Sequence, residues 1–261
     1  MIAAAVLCSA AFALTGCGNG ENKGGAGDTS FAGTYHMTST PLFLTMDATD
    51  PNAVAITIPS TGEGVEPTSM TYASINQMLS GLVLTADMGG EGDFTFGVDG
   101  SVSVTFTEAQ TGTTVVFPSD AMGIPASAFT YSISGDNIVF KMGSEMMDMI
   151  LDVQNSPDVA AVVKPMLAKL SGGILAYSQT DNSATVTLKY ERTADGLELY
   201  ADKAAIAATW TGAQGVLADI SALVGQSSPE VATLLAAILP QINTVLDGYQ
   251  ALEIGFRLTQ N

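Results

Sequence analysis

Residues 93–107 read DFTFGVDGSVSVTFT. Phe94, Phe96 and Val98 alternate with small or polar residues, and Val102, Val104 and Phe106 alternate back. A period of two places one set of side chains on one face of a strand, and Asp-Gly between two such runs predicts a hairpin with a type I′ turn at Asp99-Gly100. The design returns over 129–142, where Phe129, Tyr131 and Ile133 precede a turn at Gly135-Asp136-Asn137 and Ile138, Phe140 and Met142 follow it. A third hairpin spans 184–200, turning at Asp195-Gly196. Single strands are expected at 31–38, at 54–58 and at 82–85, and the chain finishes with Leu252, Ile254, Phe256 and Leu258 alternating.

Two longer stretches carry helical spacing. Met146 to Leu151 opens the first, which resumes after Ser156-Pro157 through Val159, Val162, Val163, Met166, Leu167 and Leu170. The second covers about 214–224 and then 229–246, with Pro229 suited to a first turn behind Ser227 and Ser228 and with Pro240 expected to kink it. A short helical stretch is expected around 74–79. The fold class is therefore mainly β (α+β): an antiparallel β-barrel or a strongly curved sheet with two inserted helical regions. A strand at each end of the body suits a barrel whose first and last strands meet, because closure removes exposed edges. An open sheet with helices on one face fits the same pattern.

Residues 1–16, MIAAAVLCSAAFALTG, contain no Asp, Glu, Lys or Arg, and their apolar run has the length of a signal-peptide core. Leu14-Thr15-Gly16-Cys17 resembles the lipobox of bacterial lipoproteins, in which the cysteine thiol accepts the lipid. The following GNGENKGGAGDTS is polar and Gly-rich, as a flexible tether is. The organisation expected is a lipoprotein signal peptide at 1–16, a tether at 17–30 beginning with the lipidated Cys17, and one domain at 31–261. Export signals normally carry positive charge at their start, and this one has only the α-amino group, so translation is expected to begin a few residues upstream. Cys8 falls in the segment to be removed. That leaves Cys17 alone, so no internal disulfide is expected. Several buried acyl chains at about 0.8 kcal/mol per methylene would hold the protein stably at a membrane.

Acidic residues outnumber basic ones 26 to 8, for a net charge of −18, and hydrophobic residues make up 47% of the chain. Such a surface repels nucleic acid and anionic headgroups and favours solubility, so nucleic acid is excluded as a partner.

Gly33-Thr34-Tyr35 on the first strand resembles the Gly-x-Trp opening of lipocalins, with Tyr in place of Trp. The wider pattern is similar to a family of uncharacterised lipocalin-like lipoproteins of Gram-negative bacteria. Pro41, Phe94-x-Phe96 before Asp99-Gly100, Phe129-x-Tyr131, Ala201-Asp202-Lys203 and Gly255-Phe256-x-Leu258 carry the likeness. The resemblance implies a barrel able to hold an apolar ligand, a cell-envelope location and outer-membrane anchoring, facing the periplasm or the cell surface. It implies no chemistry.

Catalytic and metal-binding patterns are absent from the sequence. The one histidine, His36, alternates on the first strand, and there is no Gly-x-Ser-x-Gly, Ser-x-x-Lys, P-loop or dinucleotide fingerprint. Carboxylate pairs such as Asp47 with Asp50, Glu63 with Glu66, and Asp87 with Glu91 and Asp93 fall in turn-like stretches. No enzyme activity, catalytic residue, metal or cofactor is expected. The candidate ligand-binding residues are Tyr35, Phe94, Phe96, Phe106, Phe129 and Tyr131, as inward faces of a barrel sheltering an apolar small molecule. The alternative is a non-enzymatic structural or protein-interaction module whose core these rings fill. Its partners would be the membrane, through Cys17, and an envelope protein.

Overall fold

The hairpin over residues 90–108 is the centre of one wall of a curled antiparallel sheet. The computed structural model describes residues 31–60, 66–151, 155–227 and 229–260. Its strands are β1 (Gly33–Met37), β2 (Leu42–Ala48), β3 (Val54–Ile58), β4 (Thr68–Thr71), β5 (Gly90–Phe96), β6 (Val102–Glu108), β7 (Thr114–Phe117), β8 (Phe129–Ser134), β9 (Asn137–Met142), β10 (Leu175–Ser178), β11 (Ser183–Arg192), β12 (Gly196–Ala201) and β13 (Tyr249–Gln260). Five α-helices join them: α1 (Tyr72–Leu84), α2 (Ser144–Ile150), α3 (Pro157–Lys169), α4 (Lys203–Ser227) and α5 (Pro229–Asp247).

Eleven strands form one sheet in the order β7-β6-β5-β1-β13-β12-β11-β9-β8, with β10 beside β11 and β2 beside β13. β3 and β4 form a separate ribbon. The first and last strands do meet, Tyr35 opposite Gln260 and His36 opposite Thr259. The barrel is nonetheless not closed, and the sheet is a strongly curved half-barrel ending at β7 and β8. One bridge, Ser101 opposite Thr130, joins the β5–β6 turn to β8. The connector over 118–128 runs from β7 to β8 and buries Ile124 and Ala128 against the core, so side chains fill the place that strand pairing would take.

The three expected hairpins are present in register: Phe94 opposite Val104, Tyr131 opposite Phe140, and Tyr190 opposite Leu199. The first turn differs from expectation. Gly100 has φ +83° and donates its N–H to the Gly97 carbonyl, while Asp99 is not among the described residues with positive φ. Type I′ needs positive φ at both central residues, so this is a type I turn over Val98-Asp99 with Gly100 left-handed after it. Val98 accordingly stands at the tip, 62% exposed, instead of facing inward.

Other departures follow from helix signals stronger than the local pattern suggests. Residues 82–84, expected as strand, are the last turn of α1, which Thr71 starts by accepting the Ser74 N–H on its hydroxyl at 3.2 Å. α4 begins eleven residues before Gln214, because Asp202 accepts the Ala205 N–H at 2.8 Å and an Ala-rich stretch follows. Pro240 lies inside α5 without dividing it. β2, β4, β7 and β10 are further strands.

The elements enclose two apolar clusters. The larger fills the concave face with Tyr35, Phe94, Phe96, Tyr131, Phe140, Leu188, Leu199 and their neighbours. The smaller packs α1, α4 and α5 on the start of β13 through Tyr72, Ile75, Val245, Leu246, Tyr249 and Leu252. The two clusters adjoin at Ile206, which packs against both. The turns after β5, β8 and β11 gather around Phe31, whereas α4 and α5 leave and re-enter at the far ends of β12 and β13.

Candidate functional site

All six candidate ligand-binding residues face the concave interior and are buried. Strand alternation places Tyr35 on β1, Phe94 and Phe96 on β5, Phe106 on β6, and Phe129 and Tyr131 on β8. Cross-strand register then brings most of them together. Phe96, 1% exposed, is the hub. Its ring centroid lies 5.6 Å from that of Tyr35, 5.1 Å from Tyr131 and 6.1 Å from Phe140, with the two tyrosines nearly perpendicular to it. Perpendicular packing suits the positive edge and negative face of aromatic rings.

Phe129 continues the cluster through Phe140 at 5.9 Å, and Phe94 reaches Phe256 at 6.1 Å. Phe106 takes the space over two glycines: a Cβ on Gly90 would stand 2.7 Å from its Cζ, and one on Gly92 would stand 3.5 Å from its ring.

Phe31 belongs to the same cluster, although its alternating position on the first strand marked it only as apolar. It meets Phe96 at 5.7 Å and Tyr190 at 4.8 Å, both edge-on, and the Arg192 guanidinium lies 4.9 Å from its centroid. It seals the end of the half-barrel where the described chain begins. Phe140 and Phe256, read from sequence only as strand residues, complete the interior.

The polar atoms of this interior are turned to the backbone. Tyr131 donates its hydroxyl to the Gly97 carbonyl at 3.1 Å, and its N–H goes to the Gly100 carbonyl at 2.7 Å. Tyr35 points its hydroxyl at the Phe31 carbonyl, 3.5 Å away. Among the described residues no charged side chain is buried. An interior of this kind offers apolar contact and ring faces, and supplies no acid or base.

The titratable groups weighed from the sequence lie on the outside. His36 sits between two carboxylates, with Nδ1 3.0 Å from Asp93 Oδ1 and Nε2 3.7 Å from Glu91 Oε2. These acids take opposite edges of the imidazole, so the three do not converge on one point. Asp50, Asp87 and Asp99 accept backbone N–H groups two residues ahead, from Asn52, Gly89 and Ser101, and thereby close turns. Hydrogen bonds from the Ser101 hydroxyl and N–H hold the Asp99 carboxyl below the usual range. Among the described residues, no group of three or more His, Cys, Asp or Glu could hold a metal ion. Cys17, the expected lipid acceptor, and Glu63 lie outside the described residues.

A second polar knot ties helices to sheet at the larger core's edge. Tyr177 donates to Asn182 Oδ1 at 2.7 Å, Asn182 Nδ2 donates to Asp148 at 2.8 Å, and Lys164 stands 3.3 Å from the same carboxylate. Burial is the first cause of the raised Tyr177 pKa, so the phenol stays protonated and keeps donating.

Comparison with protein-family models, with curated proteins and with solved structures finds no match.

Proposed function

We propose that this chain is a lipid-anchored protein of the bacterial cell envelope, held at a membrane through Cys17, whose domain is a non-enzymatic structural or protein-interaction module acting through its surface. The observation that carries the second half is the interlocked aromatic interior. A ligand seated among the six rings must first part Phe96 from Phe31, Tyr35, Tyr131 and Phe140. At ~0.5–1.5 kcal/mol per aromatic pair beyond area burial, four pairs oppose entry by ~2–6 kcal/mol before any ligand contact forms. The rings are better accounted for as the core that stabilises the sheet than as the wall of a vessel.

The anchor rests on the order apolar run, small residues, Cys17 and Gly-rich tether, and on the likeness to lipocalin-like lipoproteins. Phe31 adds to it, because the chain that follows residues 18–30 is pinned at one end of the half-barrel. Among the described residues no helix is long and apolar enough to cross a membrane.

Two measurements on protein expressed in a Gram-negative host test this reading. Growth with an alkyne-bearing fatty acid should label the protein, and Cys17→Ser should abolish the label; persistent labelling of that variant would place the lipid elsewhere. Native mass spectra of the gently purified protein should show the lipidated chain without a further companion. A stoichiometric apolar molecule released into organic solvent would overturn the filled-core reading and restore the carrier.

A further inference from the structure

β12 accompanies β13 only to Ala201, opposite Ile254, and then leaves as α4. On its other side β13 keeps β2 as far as Ala48, opposite Tyr249. Residues 250–253 of β13 therefore have a strand neighbour on one side only. Against the bare side, the first turn of α4 leaves an open groove of about 420 Å³. Asp202, Lys203 and Ala207 line it from the helix, and Gln250, Leu252 and Glu253 line it from the strand. The bare edge is ~13 Å long at ~3.3 Å per residue, the length of a short extended peptide.

The charges around the groove are lopsided. Asp202 and Glu253, with Glu191 and Glu198, surround the phenol of Tyr200 on the adjacent outer face; burial first, and then these four carboxylates, raise its pKa. Of the nearby cations, Lys189 stands opposite Tyr200, while Arg257 and Lys203 are already engaged. Arg257 donates from Nε to Glu198 at 2.6 Å. Lys203 donates to the carbonyls of Tyr249 at 2.5 Å and Asp247 at 3.3 Å. Lys203 thereby ties the start of α4 to the chain just before the bare edge and is not free to neutralise the carboxylates. The net charge of −18 draws cations to the whole surface, and the carboxylates select them at the groove.

Uncovered strand edges take up extended chains through main-chain hydrogen bonds, with side-chain contacts setting the choice. We propose that this groove binds a short extended segment of a basic polypeptide, which adds to the free edge of β13 and presents Lys or Arg to Asp202 and Glu253. The proposal rests on the surface-acting reading above and names its partner class. The groove lies about 25 Å from the Phe31 end, counting eight residues of β13 from Gln260 to Leu252.

The test uses the full-length protein in mild detergent and a fluorescein-labelled, capped six-residue peptide of alternating Lys and Val. Fluorescence anisotropy should show saturable binding that weakens as salt shortens the screening length. The same peptide with Glu in place of Lys should not bind, and N-methylation of alternate backbone amides should weaken binding about tenfold. The double variant Asp202→Asn, Glu253→Gln should also lose about tenfold. Asn still caps α4, so an unchanged melting curve would show that the fold is kept. Absence of binding by the Lys peptide, equal binding of the Glu peptide, or unchanged binding by a folded double variant would each overturn the proposal. None of these results bears on the native mass spectrum, so the surface-acting reading fails or survives separately.

Discussion

Phe31 stands edge-on to Phe96, their centroids 5.7 Å apart and their planes at 84°. One ring, contributed just before β1, thereby fastens the entering chain to the middle of the sheet. Phe31→Ala opens a cavity at the sealed end and removes the ring under Arg192. The expected loss is about 3–5 kcal/mol, as for other buried Phe-to-Ala changes. Urea unfolding of the variant measures it. A loss under ~1 kcal/mol would mean that the ring is not part of the cooperative core.

Gly248, between α5 and β13, leaves room for a side chain from another element. A Cβ there would fall on the hydroxyl of Tyr72. That hydroxyl donates to the Thr244 carbonyl at 3.0 Å, and its ring meets Tyr249 at 5.1 Å in a T-shape. Gly248→Ala should destabilise by about 1–3 kcal/mol through overpacking. The nearest clash is with the oxygen and the next two are with ring carbons Cζ and Cε1, so adding Tyr72→Phe should recover part of the loss and leave the ring contact. Strictly additive melting shifts in this double-mutant cycle would refute the contact.

Much of the sheet is legible because alternation and local turns specify hairpins without distant information. Phe94, Phe129 and Phe140 fall on the expected face for that reason. Contacts remote in sequence are less legible. β2 pairs with β13 across roughly two hundred residues, and nothing local to residues 42–48 names that partner. A run as short as 82–85 reads equally well as strand or helix, and the cap at Thr71 decided it from eleven residues away. The turn at Asp99 departs from type I′ for a chemical reason, since its carboxylate accepts from Ser101 and only Gly100 is left-handed. The six candidate rings are where alternation puts them. Their mutual packing depends on the curl of the sheet, which no local pattern carries.

The tyrosines of the smaller core make stability sensitive to alkali. Burial first, and then the charge of Asp247, raises the pKa of Tyr72; burial first, and then Tyr72, raises that of Tyr249. A pKa higher in the folded than in the unfolded chain means that folding favours the protonated phenol. That contribution is complete below the unfolded value of about 10 and is lost as pH rises through the folded values. Melting temperature should therefore fall above about pH 10. The fall should be shallower in the Tyr72→Phe, Tyr249→Phe double variant, measured against its own value at pH 8. Parallel alkaline curves for the two proteins would assign the loss to other groups.

Trp210 is the chain's single tryptophan, and its indole Nε1 is buried without a hydrogen-bond partner among the described residues. It packs beside Ile206 and Ala207 of α4 at the edge of the smaller core. Replacing a large buried ring by a smaller one ordinarily costs stability, but an unsatisfied buried donor itself costs ~1–3 kcal/mol. Trp210→Phe keeps most of the apolar contact and removes the orphaned N–H, so the two effects oppose. The expected result is a change within ~1 kcal/mol of zero in chemical denaturation. The ring also supplies all the tryptophan emission, which should be blue-shifted in the folded protein and move red on unfolding. A loss of ~3 kcal/mol on Trp210→Phe would show that the N–H is satisfied in solution, most simply by a bound water that the phenylalanine ring cannot hold.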